Sequence, residues 1–112
     1  MWVYKKDSGY LLDIPDSEII AFKKIINYII KDLDWELPIR TGFSIDEYQI
    51  LEEKMGNSSL GAQIFIQEEI SMIHQMLNEV CRGIQIQNFE NEFGIPIDEA
   101  KRILRTIDDI ED

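Results

Sequence analysis

His74 and Cys81 are the single histidine and single cysteine of the chain, seven residues apart. On one helix that spacing leaves two turns, about 10 Å, between them, too far for a thiolate–imidazole pair that needs hydrogen-bond contact. His74 then reads as a surface or half-buried side chain and Cys81 as a small core residue. The serines sit in no Gly-x-Ser-x-Gly elbow, and one histidine gives a Ser-His-Asp site little support. Carboxylates are plentiful, but no pair stands out as an acid–base couple with split environments. Asp32, Asp34 and Glu36 alternate without the glycine and closing glutamate of a calcium loop. Gly56 and Gly61 lack the lysine and following Ser or Thr that grip a nucleotide phosphate. One cysteine closes no internal disulfide and builds no four-ligand zinc framework. The expectation is therefore a non-enzyme that needs no cofactor and no metal.

Charge is more informative. The 112 residues carry 22 acids against 11 Lys and Arg, a net charge of −11, which argues against direct binding of nucleic acid or an anionic membrane. Phe89 to Leu104 has the rhythm of a helix-turn-helix, but Asp98 and Glu99 would meet phosphates at the start of its second helix, and Lys101, Arg102 and Arg105 compensate only in part. Between Asp32 and Glu69 nine acids face two bases, Arg40 and Lys54, so this stretch carries −7 of the total. Solvated helix faces that keep the protein soluble account for such a run. A surface that steers a cationic partner accounts for it too, since few lysines stand four residues away to relieve the repulsion. Trp35 and Tyr48 lie among these acids. Exposed, they are natural binding anchors; buried, they are core.

The elements that must position these residues are mainly helical. The length fits one domain, and the 21 isoleucines fall mostly at helical spacing. Residues 1–15 differ: Trp2 and Tyr4, then Tyr10, Leu12 and Ile14, alternate around Asp7-Ser8-Gly9 and predict a short β-hairpin. Asp16 or Ser17 caps a helix whose face is marked by Ile19, Phe22, Ile26, Ile29 and Leu33, widened by Ile20, Ile25 and Ile30. Pro38 and Gly42 interrupt it. Ser44 and Glu47 form a capping box for a second helix to about Met55. After the Gly56-Asn57-Ser58-Ser59 break, Leu60 to Cys81 reads as one long helix with Ile66, Ile70, Ile73, Leu77 and Val80 along one side, ended by Gly83. A helical turn through Phe89 and Phe93 reaches Gly94, and Pro96 opens a last helix on Ala100, Ile103, Leu104 and Ile107. Residues 108–112 read as a fraying acidic tail. The fold expected is mainly α, a single-domain bundle of four to five helices.

Gly42-Phe43-Ser44-Ile45-Asp46-Glu47 and Gly94-Ile95-Pro96-Ile97-Asp98-Glu99 match at Gly and at Ile-Asp-Glu. Two good helix starts, each with acids on the positive end of the macrodipole, explain the echo. So does a pseudo-repeat of two helix-turn-helix halves. The N-terminal residues hold no uncharged apolar run of signal-peptide or membrane-span length, which points to a cytoplasmic protein with no membrane contact.

Arg40-Thr41-Gly42-Phe43-Ser44-Ile45-Asp46-Glu47, together with Leu77-Asn78-Glu79-Val80-Cys81-Arg82-Gly83-Ile84, Asn88-Phe89-Glu90 and Phe93-Gly94, resembles small immunity proteins of bacterial contact-dependent growth inhibition systems. The resemblance covers about half the chain and brings no fixed binding residues with it. It implies a cytoplasmic protein that binds the toxic domain of an incoming effector, usually a nuclease, and blocks its active site or an essential surface. With the charge pattern, this sets the expected contact on Asp34, Trp35, Glu36, Glu47, Tyr48, Glu52 and Glu53, facing Lys and Arg of a basic RNase or DNase, with a monomer favoured. The competing expectation is a regulatory or scaffold adaptor that holds a protein segment in an apolar helical groove.

Overall fold

The computed structural model describes residues 2–6, 9–56 and 62–111. Strands β1 (Trp2–Lys6) and β2 (Gly9–Asp13) form the expected hairpin, with Val3 opposite Leu12 and Tyr4 opposite Leu11. Asp7 and Ser8 of its turn lie outside the described residues. Helix α1 (Asp16–Leu33) follows, burying Ala21, Phe22, Ile25, Ile26, Ile29 and Leu33. This three-and-four spacing makes one continuous stripe, the central element of the core. Ile20, expected to widen that stripe, is exposed instead. A single 3-10 turn, Asp34–Glu36, leads into the short helix α2 (Leu37–Thr41), and α3 (Ile45–Gly56) packs along α1.

The long helix expected over Leu60 to Cys81 is divided. Asn57, Ser58, Ser59 and Leu60 lie outside the described residues, and Ala62–Phe65 forms a strand, β3, antiparallel to β2 with Ile64 opposite Leu11. The sheet order is β1-β2-β3. Without β3, the second edge of β2 would present unpaired backbone groups to its surroundings, and pairing them outweighs the helical reading of a short apolar run. β3 is itself an edge strand, and Lys54 covers it. Its Nζ donates to the Ile64 carbonyl at 2.7 Å and lies 4.5 Å from the centre of the Phe65 ring. Helix α4 (Gln67–Asn78) starts only where the Glu69 carboxylate reaches back to accept from the Ile66 amide at 2.9 Å. It ends in a π turn, Glu79–Gly83, closed by Ile84 N–H donating to the Glu79 carbonyl at 2.7 Å.

Helix α5 (Phe89–Phe93) is the expected turn, and α6 (Ile97–Glu111) buries Ala100, Ile103, Leu104 and Ile107 as expected. Residues 108–111 continue that helix rather than fraying. Asp108 lies 2.7 Å from His74 Nε2, tying α6 to α4. The described chain is thus mainly α, with four helices of twelve residues or more, two single-turn helices and a small antiparallel sheet. No described helix is long and apolar enough to cross a membrane.

The two halves repeat one another. Gly42 and Gly94 both sit at φ 83° as the left-handed cap of a five-residue helix, and each precedes a longer one. α1 packs on α3 as α4 packs on α6, and α1 meets α5 as α4 meets α2.

Candidate functional site

The corner between α1 and α2 is built by one unusual backbone. Asp34 ends α1 with φ 47° and ψ −118°, its amide donating to the Ile30 carbonyl. Leu33 and Leu37 are buried on either side of the turn, so the intervening side chain and the one a helical turn later point away from the core. These are Trp35 and Ile39, 71% and 74% exposed. Asp32 and Asp34 are exposed beside them and Glu36 is half-buried. An indole face among carboxylates suits an Arg or Lys side chain, because the ring quadrupole and the acids attract the same cation. Pro38 fits near the start of α2, where its missing donor costs nothing.

Behind the corner the chain is fixed by polar contacts. Thr41 Oγ1 donates to the Leu37 carbonyl at 2.7 Å and accepts from the Phe43 amide at 3.2 Å. The Glu47 amide donates to Ser44 Oγ at 3.2 Å while the Ser44 amide donates to Glu47 Oε1 at 3.0 Å, the reciprocal cap expected of this pair. Arg40 forms an ion pair with buried Glu79 at 2.7 Å. That contact joins the Arg40–Glu47 segment to the Leu77–Ile84 segment, the two longest stretches that carry the resemblance.

Tyr48 does not belong to the surface. It is fully buried, edge-on to Phe43, and donates its hydroxyl to the Met72 carbonyl at 3.0 Å. Burial pushes its phenol well above the ordinary 10.0, and the carboxylates of Glu79 and Glu47 add to the shift, against a lowering hydrogen bond to Thr41. Of the two aromatic candidates, Trp35 is the exposed one and Tyr48 is core.

The acids of α3 are not gathered on one face. At about 100° per residue, Glu47 and Glu52 stand about 140° apart around the helix, on opposite flanks of the buried stripe made by Tyr48, Leu51 and Met55. Glu53 points outward between them, away from the core. Glu47 instead joins Glu68 and Glu69 around an apolar groove between α3 and α4. Of the isoleucines exposed at the corner and the groove, Ile39 and Ile50 were not singled out from the sequence, whereas Ile66, expected on the inward side of a long helix with Ile70, Ile73, Leu77 and Val80, is exposed because the helix starts only at Gln67. For Ile39 and Ile50 the signal was spacing: each lies off the three-and-four pattern of its neighbours, as Ile50 does from Tyr48, Leu51 and Met55.

His74 and Cys81 form no dyad here. His74 is engaged with Asp108, and the Cys81 thiol is pushed up by burial, with Lys101 and Arg82 acting in the opposite direction. Among the described residues no group of three or more His, Cys, Asp or Glu side chains is placed to hold a metal ion. Comparison with protein-family models, curated proteins and solved structures found no match.

Proposed function

We propose that this chain is an immunity protein of the cytoplasm that binds a cognate toxin domain, a nuclease with a basic cleft, and neutralises it by occlusion as a one-to-one complex. The observation that carries this reading is the α1–α2 corner, where Trp35 is 71% exposed beside Asp32, Asp34 and Glu36. Exposed tryptophans are costly to leave in water and are over-represented among residues that dominate binding energy. The carboxylates around it supply encounter rate and selectivity for a cationic cleft.

The experiment co-produces the chain with the toxin domain encoded beside it and measures nuclease inhibition and affinity. Trp35→Ala is expected to weaken the complex by about 2 kcal/mol, a loss of roughly thirtyfold. Reversal of Glu47, Glu52 and Glu53 to lysine is expected to slow association with the toxin domain at least about tenfold and to weaken inhibition accordingly. The exposure of Ile39, Ile50 and Ile66 supports a second reading, an adaptor that holds a segment through apolar contacts. An association rate that the charge reversal leaves unchanged, with binding lost on polar substitution of Ile50 and Ile66, selects the adaptor.

A further inference from the structure

We propose that the groove between α3 and the start of α4 is a docking slot for one large aliphatic side chain, leucine or methionine, carried by a partner segment that flanks it with Lys or Arg. This rests on the reading of the partner as a cationic protein and specifies which feature of that partner the chain recognises. The floor is apolar: Leu51 and Met72 are buried, while Ile50 and Ile66 stand at the mouth, 65% and 50% exposed. The hollow measures about 200 Å³, below the range of roughly 300–1,000 Å³ typical of small-molecule sites, and on the scale of a single side chain.

The rim has one sign. Glu47, Glu68 and Glu69 line the mouth and no Lys or Arg does. Lys54 Nζ donates to the Ile64 carbonyl at 2.7 Å and pairs with Glu69 at 2.8 Å, so it offsets the Glu69 charge and leaves the negative charge of the mouth to Glu47 and Glu68. Glu47 is held in place by the Ser44 amide, so its charge is fixed beside the groove rather than free to turn away. An apolar side chain flanked by cations meets both requirements, the dry floor and the negative mouth. A second copy of this chain does not, because its net charge of −11 repels its own image. The two larger hollows, around Tyr28 with Lys31, Asp32 and Glu92 and around Tyr10 with Lys5 and Asp109, mix both signs and select neither.

The test titrates protein labelled at isoleucine δ1 and methionine ε methyls with three end-blocked peptides, Lys-Lys-Leu-Lys-Lys, Lys-Lys-Ser-Lys-Lys and Glu-Glu-Leu-Glu-Glu. Saturable shifts of the Ile50, Ile66 and Met72 methyls are expected with the first, and binding at least about fivefold weaker with the other two. Ile66→Ser removes the apolar mouth while completing a Ser-x-x-Glu cap with Glu69, so it is expected to leave the thermal unfolding midpoint unchanged and to erase the shifts. Equal response to the serine peptide would reduce the groove to a counter-ion patch, and equal response to the glutamate peptide would remove the charge selection; either outcome, or no groove shifts at all, overturns the proposal. The peptides contain no toxin sequence. Peptide binding without toxin neutralisation therefore defeats the immunity reading alone, and neutralisation that leaves these methyls unmoved defeats the groove alone.

Discussion

Asp34 holds a backbone conformation that glycine adopts freely and other residues do not. A positive φ with ψ near −118° costs a non-glycine residue about 1–3 kcal/mol, and a carboxylate at the end of α1 also faces the negative pole of the helix. Such strain persists where the surroundings enforce it, and sites of recognition are a common place to find it. Here it turns Trp35 outward. Asp34→Gly is expected to raise stability by about 0.5–1 kcal/mol, the relieved strain exceeding the extra chain entropy of glycine in the unfolded state. Denaturant unfolding measures it; a destabilised variant would mean that the Asp34 side chain holds the turn. Nothing in the sequence announces this strain, since Asp34 sits in an alternating acidic run that reads as solvated. Trp35 and Tyr48 likewise look alike in sequence, two aromatics among acids. What separates them is helical phase: Tyr48 shares the buried stripe of Leu51 and Met55, whereas Trp35 falls between Leu33 and Leu37 on the opposite side.

At the scale of elements, the echo between Gly42–Glu47 and Gly94–Glu99 extends well beyond those residues. Ala21, Phe22, Ile25, Ile26 and Ile29 are buried, and so are the residues 51 positions later, Met72, Ile73, Met76, Leu77 and Val80. Leu37, Thr41, Tyr48, Leu51 and Met55 correspond in burial to residues 52 positions later, Phe89, Phe93, Ala100, Ile103 and Ile107. The offset changes by one between Val80 and Phe89, the stretch in which the π turn accommodates an extra residue. That turn brings Glu79 to Arg40, and Gly83 leaves room for them: a Cβ there would come within 2.6 Å of Glu79 Oε2 and 3.0 Å of Arg40 Nη2. Gly83→Ala is expected to cost about 1–2 kcal/mol, because displacing the pair strips a buried carboxylate of its partner. The same substitution in an Arg40→Met background is expected to cost at least about 0.5 kcal/mol less, and equal costs in a double-mutant cycle would show that Gly83 acts elsewhere. The Ser44–Glu47 cap was legible from its capping chemistry, and α1, α5 and the inward face of α6 from local spacing; the cap expected of Asp16 or Ser17 is not made, Pro15 standing at the start of α1 with no side-chain bond. β3 was not legible, since Ala62–Phe65 becomes a strand only in the presence of the open edge of β2, a partner some fifty residues away in sequence.

The molecule as a whole has extents of 36 × 28 × 26 Å and a net charge of −11. At an ionic strength near 0.01 M the screening length, about 30 Å, matches those dimensions, so an approaching cation feels the entire charge. Near 0.15 M the length falls to about 8 Å, and only the acids beside the contact act. The total charge was readable from composition; its arrangement was not, because the phase of each helix decides where Glu47, Glu52 and Glu53 point. With those acids spread around α3, the proposed complex assigns distant charge to accelerating encounter, and Trp35 and the Ile50–Ile66 groove to holding the partner once bound. Stopped-flow association of the chain with the proposed toxin partner, from about 0.01 to 0.5 M salt, separates these contributions most directly. A charge-steered inhibitor predicts an association rate that falls at least about tenfold over that range with a much smaller change in dissociation; an association rate indifferent to salt would contradict it.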